Sequence, residues 1–107
     1  MSQSLFHLTS REITDRTPRV VVVEVAGEVD ATNADDFTRA IVDIPGPRPL
    51  IVDLSSLDYI DSAGFAAVDR LMSRQAIIVV LEPHSPVHTA AKLIELPSHG
   101  SLEDALD

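Results

Sequence analysis

The chain has 107 residues, of which 45% are hydrophobic, so it can build one core of ordinary size but not two domains. Its 17 acidic and 8 basic residues give a net charge of −9, which argues against binding to nucleic acid or to anionic membranes. The absence of cysteine excludes disulfides and thiolate metal sites. With no signal segment and no apolar run of membrane-spanning length, we expect one domain, residues 1–107, in the cytoplasm.

The first half of the sequence alternates predicted strands with a helix. Residues 5–13 form a modest strand candidate, and residues 20–26, which include four consecutive valines, are typical of a strand covered on both faces. Gly27 interrupts this apolar run, and Thr32 or Asn33 is expected to cap a helix. The buried stripe of that helix is predicted from its helical spacing to be Ala34, Phe37, Ile41 and Ile44. The proline-rich residues 45–49 must end it.

The second half continues the alternation. Residues 50–54 are the next predicted strand, followed by a turn through Ser55, Ser56 and Asp58, a helix from about Ser62, and a third buried strand at residues 76–81. The pair Ser85-Pro86 is typical of a helix start, and Ser101 with Asp104 resembles a capping box for a short helix over residues 101–106. The inward stripe of the helix after Ser85 is predicted to be Val87, Ala90, Ala91 and Ile94.

This order of elements predicts the fold class. Apolar strands that alternate with amphipathic helices indicate an α/β domain, and connections through helices favour parallel strand pairs. We therefore expect a mixed, largely parallel β-sheet of about four strands with α-helices packed against it.

The segment Asp61-Ser62-Ala63-Gly64 is the main functional candidate, because it places a hydroxyl at the start of a helix and an acidic residue beside it. Free backbone N–H groups at a helix start tolerate an anion, so this arrangement suits a reversible change of charge better than bond-making chemistry. Local spacing alone leaves a plainer interpretation open. Ser62 or Asp61 could be only a helix cap, and Asp30 could be only a turn former.

Two motifs together identify a family. Gly27-Glu28-Val29-Asp30 after one strand, and residues 59–65 (Y-I-D-S-A-G-F) after the next, resemble the STAS domain of bacterial anti-sigma-factor antagonists, or anti-anti-sigma factors. The resemblance implies that the unphosphorylated protein binds an anti-sigma factor, which is a serine kinase, and thereby releases a sigma factor for transcription. Phosphorylation of the motif serine by that kinase ends the binding, and a serine phosphatase restores it.

Carried onto this chain, the resemblance implies that Ser62 is the phosphorylated residue of a phosphoprotein. The partner-binding surface that it implies consists of Asp30, Ser56, Tyr59, Asp61, Ser62, Ala63 and Gly64. Gly64, which has no Cβ, is expected to let the backbone of the kinase approach the serine. Two departures from the family pattern are visible. Ala63 stands where a second hydroxyl is common, and the connection through Gln75 lacks the usual glycine.

Catalytic and metal-binding functions have little support in the sequence. Ser62 lacks both a G-x-S-x-G elbow and an evident histidine base, and there is no P-loop motif. His84 and His88 have metal-ligand spacing, but Ser85-Pro86 between them places His84 outside the helix. Asp53 at a strand end invites comparison with a phosphorelay receiver, yet the acidic pair that would hold Mg²⁺ is missing. We expect no enzyme activity, no catalytic residue, no cofactor and no metal site. The remaining alternative is a STAS-type protein-interaction or small-ligand-binding module that phosphorylation does not regulate.

Overall fold

A four-stranded sheet organises the chain, of which the computed structural model describes residues 5–107. The strands are β1 (Phe6–Ile13), β2 (Val20–Val29), β3 (Leu50–Ile60) and β4 (Ile77–Val80), and they lie in the order β1-β2-β3-β4. β1 pairs antiparallel with β2, whereas the β2–β3 and β3–β4 pairs are parallel. The predicted mixed and largely parallel sheet is therefore confirmed.

The helices are α1 (Ala34–Val42), α2 (Ser62–Ser73), α3 (His88–Leu93) and α4 (Leu102–Leu106). Buried side chains of α1, α2 and α3 join one core cluster against a sheet face, and α4 packs against a smaller cluster around Val22 and Ile51 on the other face. The consecutive valines of β2 contribute side chains to both clusters, as expected for a strand covered on both sides. No helix within residues 5–107 is long and apolar enough to cross a membrane.

β2 and β3 are longer than the sequence predicts. The predicted turn through Ser55, Ser56 and Asp58 is wrong, because these residues belong to β3. Between Glu24 and Ala26, and again between Gly27 and Glu28, β3 uses one residue more than β2, so the pairing register shifts twice. Such bulges place polar residues inside a strand and break the alternation by which a strand is recognised.

Gly27 lies within β2 instead of ending it. Its φ of +95° is a left-handed conformation, and a Cβ at this position would lie 2.4 Å from the carbonyl oxygen of Leu5. The Glu28 N–H donates to the same oxygen at 2.8 Å. The absence of a side chain therefore lets the chain before β1 approach β2 closely.

Both α2 and α3 end in a turn that normally favours glycine. After α2, Gln75 has a φ of 59°, its N–H donates to the Met72 carbonyl at 2.9 Å, and the Ala76 N–H donates to the Leu71 carbonyl at 3.0 Å. This is a Schellman motif in which glutamine occupies the left-handed position. Glu95, with a φ of 57°, occupies the equivalent left-handed position after α3.

The C-terminal third agrees with the sequence only in part. α3 begins at His88, later than the Ser85-Pro86 signal suggests, because the Ser85 hydroxyl accepts from the Val87 N–H in a local turn. Val87 and Ala91 are buried as predicted, but Ala90 is exposed and Ile94 is 53% exposed. The predicted cap of α4 is confirmed, since the Ser101 hydroxyl accepts from the Asp104 N–H at 3.1 Å.

Candidate functional site

The two sequence motifs meet where β2 and β3 end. Val29 and Ile60 are paired across these parallel strands, and the Asp61 N–H donates to the Val29 carbonyl at 3.2 Å. Because neighbouring parallel strands end at the same edge of a sheet, Asp30 and Asp61 begin adjacent loops. The β2–α1 loop and the start of α2 therefore form one surface.

Asp61 holds this surface together through both carboxylate oxygens. Oδ1 accepts from the Gly64 N–H at 3.0 Å and caps α2, while Oδ2 accepts from the Ala31 N–H at 3.2 Å. The choice between Ser62 and Asp61 as the cap is thus resolved in favour of Asp61. A single side chain satisfies a free donor at the helix start and also links it to the neighbouring loop.

Ser62 is the first residue of α2, and its side chain is exposed. Since Asp61 caps the helix, the Ser62 hydroxyl has no structural task, and it makes no hydrogen bond to another residue of the described chain. It lies at the positive end of the α2 dipole, where backbone N–H groups of the first turn face outward. The hydroxyl is thus exposed to solvent at the start of α2.

The β2–α1 loop is ordered by Asn33, which the sequence analysis did not place in the site. Asn33 is only 4% exposed; its Oδ1 accepts from the Asp30 N–H at 2.9 Å, and its Nδ2 donates to the Glu28 carbonyl at 3.0 Å. Asp30 in turn accepts from the N–H and the hydroxyl of Thr32. Asn33 occupies the N-cap position of α1, but its side chain serves the loop instead of capping the helix. The D-x-x-N spacing was the signal that could have revealed it.

Gly64 is buried and serves the packing of α2. A Cβ here would lie 2.6 Å from Ile60 Cγ1 and 2.8 Å from the Val29 carbonyl oxygen. The space that the missing side chain leaves is thus filled by the protein itself, and this placement gives no support to the expected approach of a kinase backbone. Ala63 is half-buried and packs against the main core.

Tyr59 and Ser56 lie on β3 at different distances from Ser62. Tyr59 is 50% exposed and lies two residues before Asp61. Ser56 is exposed farther back along the strand, where its hydroxyl donates to Glu24 Oε1 at 3.4 Å. Five residues of extended strand separate Ser56 from Asp61 by roughly 15 Å, so the structure does not bring Ser56 to the Ser62 hydroxyl.

A groove of about 550 Å³ runs from Ser62 between α2 and the segment that follows α3. Its walls are mainly apolar and include Phe65 on α2 and Ile94 on the facing segment, while Asp69 and Glu95 bring carboxylates to it. Helical spacing does not reveal this groove, because it predicts that Ile94 faces the core. The helix ends at Leu93, one residue too early to bury that side chain.

Comparison with known proteins identifies the family of the chain. The model of the STAS domain family matches residues 12–95. A protein of Mycobacterium tuberculosis, Rv2638, provisionally named as an anti-anti-sigma factor, is 29% identical over an alignment 114 positions long, which covers 94% of this chain and 76% of the relative. The crystal structure of an anti-sigma factor antagonist from Mycobacterium paratuberculosis has a TM-score of 0.63 and 28% identity, over 94% of this chain and 92% of that one.

A more distant structure supports the fold alone. An uncharacterised protein from Shewanella loihica, of the DUF3478 family and with a SpoIIAA-like fold, has a TM-score of 0.54 and 15% identity. The match covers 100% of this chain and 97% of that one. The arrangement of strands and helices is thus shared well beyond the range of clear sequence similarity.

Proposed function

The chain belongs to the STAS domain family, and we propose that it is an anti-sigma-factor antagonist whose binding is switched off by phosphorylation of Ser62. Anti-anti-sigma factors of this family are regulators and not enzymes. The observation that carries the proposal is the exposed Ser62 hydroxyl, which makes no hydrogen bond within residues 5–107, at the mouth of a largely apolar groove. The proposed partners are a cytoplasmic anti-sigma factor with serine kinase activity and a serine phosphatase.

The unmodified protein offers a suitable binding surface. Phe65 and Ile94 present apolar area beside Ser62, and burial of apolar area is the main source of affinity in protein association. Asp30 and Tyr59 extend the surface across the ends of β2 and β3, and Asp61 fixes the two loops relative to each other. A partner docked here covers the serine that it later modifies.

Phosphorylation changes the charge of this surface without disturbing the fold. The phosphate adds about −1.5 to −2 charges at neutral pH, close to the Asp61 carboxylate and in a groove that also contains Asp69 and Glu95. The start of α2 favours an anion by about 0.3–1 kcal/mol, so the domain accommodates the group. A partner that buries this region must instead desolvate the phosphate and fit around its volume.

The proposal is tested by incubating the protein with candidate anti-sigma kinases, ATP and Mg²⁺, followed by intact-mass measurement and site mapping. We expect a mass gain of one phosphate at Ser62, none in Ser62→Ala, and an unchanged gain in the control Ser73→Ala, which removes another exposed serine of α2. The switch would be refuted by phosphorylation at a different serine. It would also be refuted if a kinase that binds the protein does not phosphorylate it.

A second function is favoured by the groove itself. Its volume of about 550 Å³ and its mainly apolar walls are within the range of small-molecule sites. In this alternative the domain is a STAS-type interaction or ligand-binding module that phosphorylation does not regulate. Partner binding that is equally tight for Ser62→Ala and Ser62→Glu would favour this function over the switch.

A further inference from the structure

A second groove, of about 250 Å³, lies at the opposite end of the sheet from Ser62. The β1–β2 turn, the α1–β3 connection and α4 enclose it, and Arg16, Arg19 and Arg48 line it. These are three of the eight basic residues in a chain of net charge −9, and no acidic side chain is among the described residues that line the groove. Positive charge is therefore concentrated at this groove, although the chain as a whole is acidic. We call this feature the basic groove.

Two of these arginines are held by neutral partners. Arg16 Nη2 donates to the Leu106 carbonyl at 2.7 Å, and Arg48 donates through Nη1 to the Gly46 carbonyl at 3.1 Å and through Nη2 to the Val42 carbonyl at 2.9 Å. Neither forms a salt bridge within residues 5–107. A guanidinium has five N–H donors, so both arginines keep free donors, and neither charge is paired with a carboxylate within 4.0 Å in the described residues.

Arg19 is more loosely held. Its only ion pair in the described chain is with Glu12 at 3.4 Å, and both side chains are largely exposed. Exposed pairs of this kind contribute little to stability, so an incoming carboxylate can replace Glu12 at small cost. All three arginines are thus available to a negatively charged ligand.

The remaining walls of the basic groove are apolar. They come from Val20, Ile51 and Ile78 at the starts of three strands, together with Leu106 and three prolines. A bare inorganic anion would leave this apolar surface unused. An apolar side chain with carboxylates on either side would bury the walls and pair with the arginines.

We propose that the basic groove binds an acidic segment of a partner protein, with one apolar side chain inserted between the three arginines. The groove and Ser62 are separated by about nine residues of β3, or roughly 30 Å. One partner can therefore occupy each end of the domain at the same time. This second contact is independent of the proposed switch at Ser62, and it would make the domain an adaptor as well as an antagonist.

The test is a titration of the ¹⁵N-labelled full chain, followed by amide chemical shifts, with three synthetic peptides. The probe is acetyl-Glu-Glu-Leu-Glu-Glu-amide, and the controls replace either its four glutamates with glutamine or its leucine with serine. We expect saturable shifts around Arg16, Arg19 and Arg48 with the probe, weaker binding of both controls, and a loss of affinity as NaCl is raised. Shifts that fail to saturate, or that centre on the groove beside Ser62, would overturn the proposal.

Charge variants make the assignment specific. Arg19→Gln is expected to weaken probe binding about two- to fivefold, as loss of one exposed ion pair does, and Arg16→Gln and Arg48→Gln at least as much. The control Arg74→Gln removes an exposed arginine outside the basic groove and should leave the affinity unchanged. If loss of the Arg48 contacts disturbs the fold of Arg48→Gln, probe binding is measured with Arg48→Lys, which retains the charge. Equal probe affinities for Arg19→Gln and the unmodified protein would contradict the proposal.

Discussion

The Asp61 carboxylate accepts a hydrogen bond from the Ala31 N–H at 3.2 Å across a separation of 30 residues, while its second oxygen caps α2 through Gly64. The acidic residue of the D-S-A-G motif is therefore a structural link between the two loops of the site. Because Asp61 caps α2, the Ser62 hydroxyl is not needed as the cap.

Replacement of Asp61 should destabilise the domain. Asp61→Ala removes a helix cap and the bond to Ala31, and we expect a loss of about 1–2 kcal/mol in the free energy of unfolding. Urea denaturation measures this loss. Asp58→Ala, which removes an exposed carboxylate of β3 nearby, is the matched control and should change stability by less than about 0.5 kcal/mol. Equal effects of the two substitutions would show that Asp61 is not a structural link.

Gly64→Ala should destabilise the protein even though alanine favours helices. The new Cβ would meet the backbone oxygen of Val29 at 2.8 Å, and backbone cannot move aside as a flexible side chain can. We expect a cost of about 1–3 kcal/mol, typical of overpacking, in thermal or urea unfolding. As a comparison within α2, Ala66→Gly at an exposed position should cost about 0.5–1 kcal/mol through helix propensity alone. A Gly64→Ala variant more stable than the parent would contradict the packing role.

Gln75→Gly should stabilise the protein. Gln75 has a φ of 59° in the Schellman turn after α2, and glycine adopts this conformation without the steric cost of a Cβ. The expected gain is about 1 kcal/mol in the free energy of unfolding, the lower end of the cost of a left-handed conformation for a residue with a Cβ. Gln75→Ala keeps the Cβ and should be close to neutral. A gain of similar size in Gln75→Ala would mean that backbone conformation is not the cause.

The apolar groove beside Ser62 yields a prediction about binding. Ile94 is 53% exposed and lines this groove, whereas its neighbour Leu93 is 79% exposed and does not. Ile94→Glu should weaken binding of the anti-sigma factor about tenfold or more, as loss of a central apolar contact does, with little change in stability. Leu93→Glu adds the same charge one residue away and should leave affinity nearly unchanged. Isothermal titration calorimetry distinguishes the two variants, and equal losses would argue against a specific role for the groove.

The sequence predicted the order of strands and helices because that order depends on local patterns. Each of these patterns lies within one segment of the sequence, as do the valines of β2, the prolines before β3 and the apolar stripe of α1. The length of β3 was not predictable in this way, since its bulges break the period of the strand. The family resemblance singled out Ser62 and Asp61, and comparison confirms the family. The second bond of Asp61 depends on a neighbour 30 residues away, which no local pattern encodes. The exposure of Ile94 follows from the residue at which α3 ends, and helix boundaries are the least predictable feature of a helix.

The central claim is tested most directly by measuring the affinity of one anti-sigma factor for the unmodified protein and for protein stoichiometrically phosphorylated at Ser62. We predict that phosphorylation weakens binding at least about tenfold, or 1.4 kcal/mol, while the free energy of unfolding changes by less than about 1 kcal/mol, because the start of α2 accommodates the anion. Equal affinity of the two forms, or weaker binding that is explained by unfolding of the phosphorylated domain, would contradict a switch at this hydroxyl.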